Sequence, residues 1–196
     1  WPSQHGFLVF LYLAHKGTNL SDVQEMFGRT YDQISRINFT TITWIYNNHR
    51  DLVQNNLGFY SDKLDRYAVS ISRKLIAEGK GPTPGIIPRI VDNICGFLDG
   101  TVLDIARPYR NNNIQNSFYS GYHRSHNLNY QAIVFPDGMI CLSDAVPGCL
   151  TDIGAWQNSD LRQQVINNND DREEAGSARL KLYADKIYHT SPDIQA

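Results

Sequence analysis

Two short apolar runs, far apart in the chain, each end on an aspartate. The run from Ile94 to Leu98 is followed by Asp99, and the run from Lys181 to Ala184 is followed by Asp185. Runs of this length and composition predict buried β-strands. Because the carboxyl ends of parallel strands in an open α/β sheet border one crevice, the two carboxylates are expected to meet there.

The segments between these strands predict a mixed sheet with helices. Apolar runs at residues 130–135 and 139–142 flank Pro136-Asp137-Gly138, a turn signal that predicts a hairpin. Residues 152–167 carry apolar side chains at near-helical spacing, which predicts a helix with Asp152 at or near its N-terminus. Residues 167–177 are polar and predict a loop or a frayed helix end. The order strand, hairpin, helix, strand matches the start of a ribonuclease H-like α/β fold, here incomplete.

The N-terminal part predicts three helices. The first covers residues 5–16 and ends before Gly17, and a short second helix with a Ser21–Gln24 capping box ends at Gly28. The third begins near Thr30 or Tyr31 and runs toward residue 48. This pattern is typical of a helix-turn-helix, although three amphipathic helices more often form a plain bundle. In the first case the side chains nearest DNA are Arg29, Gln33, Ser35 and Arg36.

The densest cluster of glycine and proline, at residues 79–85, predicts the boundary between two units. We expect a helical unit over residues 1–80 and an α/β domain over residues 90–196. The chain starts at Trp1 without the pattern of a secretory leader, which indicates a fragment or a mature product.

Composition argues against several classes of protein. No apolar stretch approaches the ~20 residues that span a bilayer, so membrane insertion is not expected. Three cysteines without C-x-x-C spacing, Cys95, Cys141 and Cys149, predict neither a disulfide framework nor a zinc knuckle and favour a reducing compartment. The net charge of −2 argues against a surface that binds DNA everywhere.

Positive charge is instead concentrated in one strip of sequence. Residues 105–136 contain no aspartate or glutamate, and the basic side chains in this stretch are Arg107, Arg110, His123, Arg124 and His126. The spacing of His123 and His126 is compatible with a metal pair, but phosphate contact is the favoured interpretation because Arg124 lies between them. The strip predicts a local contact with nucleic acid.

Asp152 joins Asp99 and Asp185 as a third candidate metal ligand. Phosphodiester cleavage needs an activated water or hydroxyl and a stabilised leaving oxygen, both of which divalent metals supply. Aspartate oxygens suit Mg²⁺ or Mn²⁺, whereas zinc would call for histidine and cysteine. Each aspartate also has a plainer interpretation: Asp99-Gly100 is typical of a turn, Asp152 of a helix cap and Asp185 of a strand end at the surface.

An ordered string of motifs favours the metal site. These motifs are Phe97-Leu98-Asp99-Gly100-Thr101, Ile105-Ala106-Arg107-Pro108, Tyr119-Ser120-Gly121-Tyr122-His123-Arg124-Ser125-His126, Tyr130-Gln131, Pro136-Asp137-Gly138, Pro147-Gly148, Thr151-Asp152 and Leu182-Tyr183-Ala184-Asp185-Lys186-Ile187-Tyr188. Together they resemble the DDE endonuclease domain of Harbinger-type transposases, over roughly residues 93–188, and a helix-turn-helix precedes this domain in that family.

The resemblance implies roles for the three aspartates. Asp99, Asp152 and Asp185 would bind divalent metal, and Asp99 and Asp185 would be the first two catalytic members of the DDE set. The resemblance also implies DNA as substrate, a separate DNA-binding partner protein in many relatives, and a nuclear location. Arg107, Arg110, His123 and Arg124 would contact the DNA.

The chain departs from the family pattern in three places. Thr151 replaces a histidine before the middle aspartate, and Ala184-Asp185-Lys186-Ile187-Tyr188 replaces Gly-Asp-x-Gly-Tyr. The family's final glutamate follows the Asp-x-x-Tyr motif on a helix, but this sequence ends at Ala196, and Glu173 and Glu174 come too early. We therefore expect this piece to be inactive by itself. The alternative function is a non-catalytic DNA-binding or protein-interaction module descended from a transposase.

Overall fold

The computed structural model of the chain describes residues 4–17, 19–79, 93–109 and 112–196. Contacts divide the chain into two compact units, Trp1–Leu52 and Val53–Ala196. Within the described ranges, no helix combines the length and the apolar character that crossing a bilayer requires.

The described residues of the first unit form three helices, as the sequence predicts. They are α1 (Gln4–Lys16), α2 (Leu20–Phe27) and α3 (Tyr31–His49), and a short 3-10 turn, Arg50–Leu52, follows them. Val9, Val23 and Ile34, one from each helix, are fully buried and form the core. This arrangement gives each short helix an apolar partner, which isolated helices of this length need for stability.

Capping explains where these helices begin and end. Gly28 adopts the left-handed conformation (φ 60°) that terminates α2. The predicted capping box at Ser21 is wrong, because α2 begins at Leu20 and Ser21 lies inside it. The capping box belongs to α3 instead, where the Thr30 side chain accepts from the Gln33 N–H and the Gln33 side chain accepts from the Thr30 N–H.

The second unit is built on a mixed β-sheet, which confirms the predicted α/β class. Its strands are β1 (Ile94–Asp104), β2 (Tyr119–Ser120), β3 (Ser125–Val134), β4 (Ile140–Leu142), β5 (Val146–Pro147), β6 (Lys181–Ala184) and β7 (Ile194–Gln195). The sheet has the order β4-β3-β1-β6-β7, and β2 and β5 pair with other stretches of β3. β1 runs antiparallel to β3 and parallel to β6. The predicted hairpin is present as β3 and β4, which pair antiparallel around a turn where Gly138 has φ 82°.

In the part of the second unit that the structure describes, four helices and two 3-10 turns accompany the sheet. The helices are α4 (Leu64–Ala77), α5 (Asn112–Phe118), α6 (Asp152–Gln157) and α7 (Asp160–Glu174), and the turns are Leu57–Tyr60 and Lys186–Tyr188. The single helix predicted over residues 152–167 is therefore two helices. Of the two interpretations of residues 167–177, the loop is wrong and the helix end agrees with the structure, because α7 continues to Glu174. Its buried Asn169 bonds both backbone groups of Leu180, which holds this polar end of the helix in place.

Helix α4 packs in the second unit, although the sequence places it in the helical unit. Leu64, Tyr67 and Ala68 are buried in one core with residues of the sheet and of α7. Tyr67 stacks on Phe135 with ring centroids 5.1 Å apart. The glycine- and proline-rich boundary lies almost wholly outside the described residues, so the domain limits of 1–80 and 90–196 stay a prediction.

Candidate metal centre

Asp99 and Asp185 stand on neighbouring parallel strands. In the register of β1 and β6, Leu98 lies beside Ala184, so the next residue along each strand is one of the two aspartates. Leu98 and Ala184 are buried, whereas both aspartates are exposed. The structure therefore brings the two carboxylates to one level of the sheet, where β6 ends.

Asp99 lies inside a strand and not in a turn. β1 continues to Asp104, and Asp99 is paired with Ala132 of β3. The Gly100 N–H donates to Asp99 Oδ1 over 2.8 Å, which orients the carboxylate against its own strand. The turn interpretation of Asp99-Gly100 is wrong, because these residues continue a paired strand.

The Asp152 carboxylate occupies the space that Gly100 leaves free. A Cβ atom placed on Gly100 would lie 2.6 Å from Asp152 Oδ1 and 2.8 Å from its Cγ, closer than such atoms approach. Glycine at position 100 therefore makes room for the third aspartate against the residue that follows Asp99. Asp99 and Asp185 thus follow paired residues of β1 and β6, and Asp152 contacts β1 at Gly100.

Thr151, and not Asp152, caps helix α6. The N-cap of α6 is Thr151, whose Oγ1 accepts from the Gly154 N–H over 3.3 Å. Asp152 is the first residue of the helix, where its charge is favourable near the positive end of the helix dipole. The interpretation of Asp152 as the helix cap is therefore wrong, and the residue that departs from the family pattern supplies the cap.

Tyr188 links the three aspartates electrostatically. Its side chain is buried, and its hydroxyl donates to Gln131 Oε1 over 2.7 Å. Burial raises the pKa of the Tyr188 phenol above its usual range, and the negative charges of Asp152, Asp99 and Asp185 raise it further. The sequence places Tyr188 in a motif but does not reveal this position.

The donor set fits a hard divalent cation. All three candidate side chains offer carboxylate oxygens, and Mg²⁺ binds through one or two carboxylates while keeping several waters. Across the part of the chain that the structure describes, no group of three or more His, Cys, Asp and Glu side chains is arranged to hold a metal ion. The fit rests on the space at Gly100 and on the chemistry of the donors. Glu173 does not join them, since its Oε2 bonds Arg179 over 2.9 Å.

The predicted DNA-contacting residues fall in three places. Arg107 lies in the loop after β1, where its guanidinium donates to Gln115 Oε1 over 2.8 and 3.2 Å. His123 and Arg124 are exposed in the tight turn between β2 and β3, and the Arg124 N–H donates to the Ser120 carbonyl over 2.8 Å. In the first unit, Arg29 and Arg36 are exposed just before and within α3. Arg110 lies outside the described residues.

His123 and His126 each contact a different tyrosine. The His126 ring meets Tyr119 edge-on with centroids 5.4 Å apart, and the His123 ring meets Tyr122 at 4.9 Å. Tyr122 is 90% exposed, so this turn presents an aromatic ring together with basic side chains to solvent. Such a combination suits contact with phosphates and bases better than binding of a metal.

Comparison with known families agrees with this arrangement. A family model described as DDE superfamily endonuclease matches residues 98–196, half of the chain, and this stretch includes all three aspartates. No curated protein and no solved structure shows significant similarity. The chain belongs to the DDE superfamily endonucleases.

Proposed function

We propose that this protein is a Harbinger-type, transposase-derived nuclease that cleaves phosphodiester bonds of DNA with Mg²⁺ or Mn²⁺. The observation that supports the proposal is that Asp99 and Asp185 follow paired residues of β1 and β6 while Asp152 lies against Gly100, in a DDE superfamily endonuclease. Asp99 and Asp185 are the catalytic pair, and Asp152 is the third ligand. A carboxylate cluster of this kind suits metal-dependent hydrolysis or strand transfer.

The chain's own residues prepare the reaction. Bound there, a divalent metal would activate the attacking water or hydroxyl and stabilise charge on the leaving oxygen. The strands β1 and β6 hold Asp99 and Asp185 at a fixed spacing, which a rigid sheet does better than a loop. Helix α6 supplies Asp152 through the gap at Gly100.

The basic side chains are placed to contact DNA phosphates at a distance from the aspartates. Along β3, Ala132, the partner of Asp99, lies seven residue steps beyond Ser125. At about 3.4 Å per residue, this strand spans roughly 24 Å. That distance corresponds to about seven base pairs of a duplex, at about 3.4 Å each. Arg107, His123 and Arg124 would hold phosphates along this path, and Arg29, Arg36 and Arg110 would add further contacts.

Metal titration tests the site directly. Calorimetry measures the affinity for Mn²⁺ in variants in which Asp99, Asp152 or Asp185 is replaced by asparagine. We expect each variant to bind Mn²⁺ at least roughly 10–100-fold more weakly, the range typical of changes around metal ligands. The matched control is Asp160→Asn, because Asp160 begins α7 after its Ser159 cap just as Asp152 begins α6 after Thr151. Equal affinity in Asp152→Asn and Asp160→Asn would remove Asp152 from the site.

Nicking of supercoiled DNA tests the activity and separates the alternative. The full-length protein should nick DNA in Mn²⁺, and its Asp99→Ala variant should not. Equal nicking by both would reject the metal assignment, and DNA binding without nicking by either would favour a non-catalytic module. Nuclear location and a separate DNA-binding partner belong to the same proposal, and imaging of the tagged protein and co-purification test them.

A further inference from the structure

The turn between β2 and β3 presents one aromatic ring almost entirely to solvent. Tyr122 is 90% exposed, more than any other large apolar side chain in the part of the chain that the structure describes. A single exposed ring is by itself ordinary on a protein surface. The order of this turn, its charge and its position in the sheet are what point to a binding role.

The backbone of the turn is held in one conformation. Ser120, at the end of β2, is buried; its carbonyl accepts from the Arg124 N–H over 2.8 Å and its Oγ from the His123 N–H over 3.3 Å. Arg124 has φ 55°, a left-handed conformation that residues other than glycine adopt only where their surroundings enforce it. Ser125 Oγ donates to Asp104 Oδ1 over 2.7 Å, which ties the start of β3 to β1. Tyr122 therefore stands on a preorganised support, which lowers the entropy lost when its ring binds.

The charge around the ring favours a polyanion. His123 and Arg124 follow Tyr122 directly, and both are exposed. Residues 105–136 contain no aspartate or glutamate. The turn between β3 and β4 differs in this respect, because it carries Asp137. DNA, which the nuclease family implies as substrate, has the matching negative charge.

The turn also lies on the side of the sheet where a substrate would be expected. β3 begins opposite the carboxyl end of β1, since Asp104 pairs with Asn127. Ligands of open α/β sheets collect beyond the carboxyl ends of the parallel strands. A DNA strand that reaches Asp99 can therefore continue toward the turn, which begins roughly 24 Å away along β3.

An exposed ring in such a place stacks on a base only if the base is outside a duplex. In a B-form duplex the neighbouring bases cover both faces of each base, and the grooves give access to its edges alone. An unpaired base exposes a face. Stacking on an aromatic side chain then holds the base, while basic side chains contact the adjacent phosphates.

We propose that the β2–β3 turn binds unpaired DNA bases, with Tyr122 stacking on one base and His123 and Arg124 contacting the phosphates beside it. This contact rests on the proposed function for its ligand, DNA, and adds which form of DNA the protein selects. The unpaired base lies at about the distance of seven base pairs from the bond held at the aspartates. Tyr122 thus selects the substrate and takes no part in the cleavage.

Binding of labelled DNA in the presence of EDTA tests the contact without any metal. The full-length protein should bind a short single strand, and Tyr122→Ala should weaken this binding by roughly 5–150-fold, the range for loss of one stacked base. Affinity for a duplex of the same sequence should not change. Tyr122→Phe, which keeps the ring, should bind the single strand as the original protein does, whereas Tyr122→Leu, which keeps only apolar volume, should not.

Two further variants serve as controls. Arg124→Gln should weaken binding of single strand and duplex alike and lower the salt slope by about one, because a phosphate contact does not depend on base pairing. Met139, just after the β3–β4 turn, is 44% exposed and offers apolar surface without positive charge. Met139→Ala should leave both affinities unchanged.

Fluorescence of 2-aminopurine tests the stacking itself. We expect an unpaired 2-aminopurine in otherwise duplex DNA to be less fluorescent with the original protein or Tyr122→Phe than with Tyr122→Leu, each at saturation. The difference should be largest when the unpaired base lies about seven base pairs from the bond that is nicked in Mn²⁺. A signal that is the same in all three proteins would overturn the stacking contact.

The affinities decide between this proposal and the proposed function. Undiminished single-strand binding in Tyr122→Ala would overturn the base contact, and so would an equal loss for single strand and duplex, which would indicate a groove contact. A protein that binds single strands through Tyr122 but does not nick DNA in Mn²⁺ would reject the nuclease function and keep the base contact. Nicking that depends on the aspartates, with normal DNA binding by Tyr122→Ala, would reject the base contact and keep the nuclease function.

Discussion

Gly100 contributes to the candidate centre because it has no side chain. The carboxylate of Asp152, the first residue of α6, occupies the space where a Cβ atom of residue 100 would lie. Glycine inside a strand costs roughly 0.5–1 kcal/mol relative to alanine. A glycine retained there against that cost is typical of a position where another group approaches closely.

Gly100→Ala should therefore separate stability from metal binding. The new methyl group must displace the Asp152 carboxylate, which ends a flexible side chain, so the fold should survive with a change in stability within about 1 kcal/mol. Mn²⁺ affinity should fall about tenfold or more because one ligand is moved. Thermal unfolding and Mn²⁺ calorimetry on the same sample measure the two effects.

Gly121→Ala is the matched control for this substitution. Gly121 lies in the turn between β2 and β3, where an added Cβ meets nothing within 4 Å. It should leave Mn²⁺ affinity unchanged. If Gly100→Ala also left the affinity unchanged, the Asp152 carboxylate would not be a ligand in the place that the structure gives it.

The individual residues differ in how visible they are from sequence. Asp99 and Asp185 end similar apolar runs, and that local likeness is enough to predict that they lie near each other. The pairing of Gly100 with Gln131 cannot be predicted from local sequence, because the two residues are 31 positions apart in the chain. The sequence names Tyr188 only as part of a motif, since its burial depends on how the Lys186–Tyr188 turn packs.

At the scale of elements, the break between α6 and α7 was the main feature that apolar spacing concealed. Ile153, Trp156, Leu161 and Val165 recur at near-helical intervals across the break, so periodicity alone predicts one helix. The structure starts a new helix because the Ser159 side chain accepts from the Arg162 N–H over 3.1 Å. Thr151 and Ser159 are thus two N-caps in close succession, each followed directly by an aspartate.

The Thr151 cap should couple the order of α6 to the centre. Thr151→Ala removes the bond to the Gly154 N–H and should cost about 1 kcal/mol of stability. It should also weaken Mn²⁺ binding several-fold, because the first turn of α6 carries Asp152. Thr151→Ser, which keeps the hydroxyl, should keep the stability and the Mn²⁺ affinity of the original protein in thermal unfolding and Mn²⁺ titration.

Ser159→Ala provides the comparison for that prediction. It removes the equivalent cap of α7 and should cost a similar free energy of unfolding. Because Asp160 is not a proposed ligand, Mn²⁺ affinity should not change. A loss of affinity in Ser159→Ala equal to that in Thr151→Ala would show that the effect follows global stability and not the position of Asp152.

At the scale of the whole molecule, local sequence does not decide which compact unit α4 joins. An amphipathic helix can pack in a helical bundle or against a sheet. The nearest cluster of glycine and proline, at residues 79–85, lies after α4 and therefore groups it with the first three helices. The packing is decided by partners far along the chain. Tyr60 lies 4.6 Å from the Phe135 ring, and Arg172 of α7 forms a bidentate pair with Asp65 of α4 at 2.8 and 3.1 Å.

The backbone just before α4 also belongs to the sheet unit. The Asn55 N–H donates to the Leu142 carbonyl over 2.7 Å, and the Leu142 N–H donates to the Val53 carbonyl over 2.8 Å. These bonds extend the pairing of β4 by a short parallel bridge at Gln54. Residues 53–79 thus supply hydrogen bonds at the β4 edge and apolar side chains to the core of the second unit.

A chain that begins at Val53 should therefore fold by itself, whereas one that begins at residue 90 should not. The shorter chain loses buried Leu57, Tyr60 and Leu64, and truncation of a single large core side chain already costs about 2–5 kcal/mol. The sum exceeds much of the roughly 5–15 kcal/mol that stabilises a domain. Circular dichroism should show a cooperative thermal transition for residues 53–196 alone. Cooperative unfolding of residues 90–196 at the same temperature would support the boundary that the sequence predicts, because α4 would then add nothing that the sheet requires.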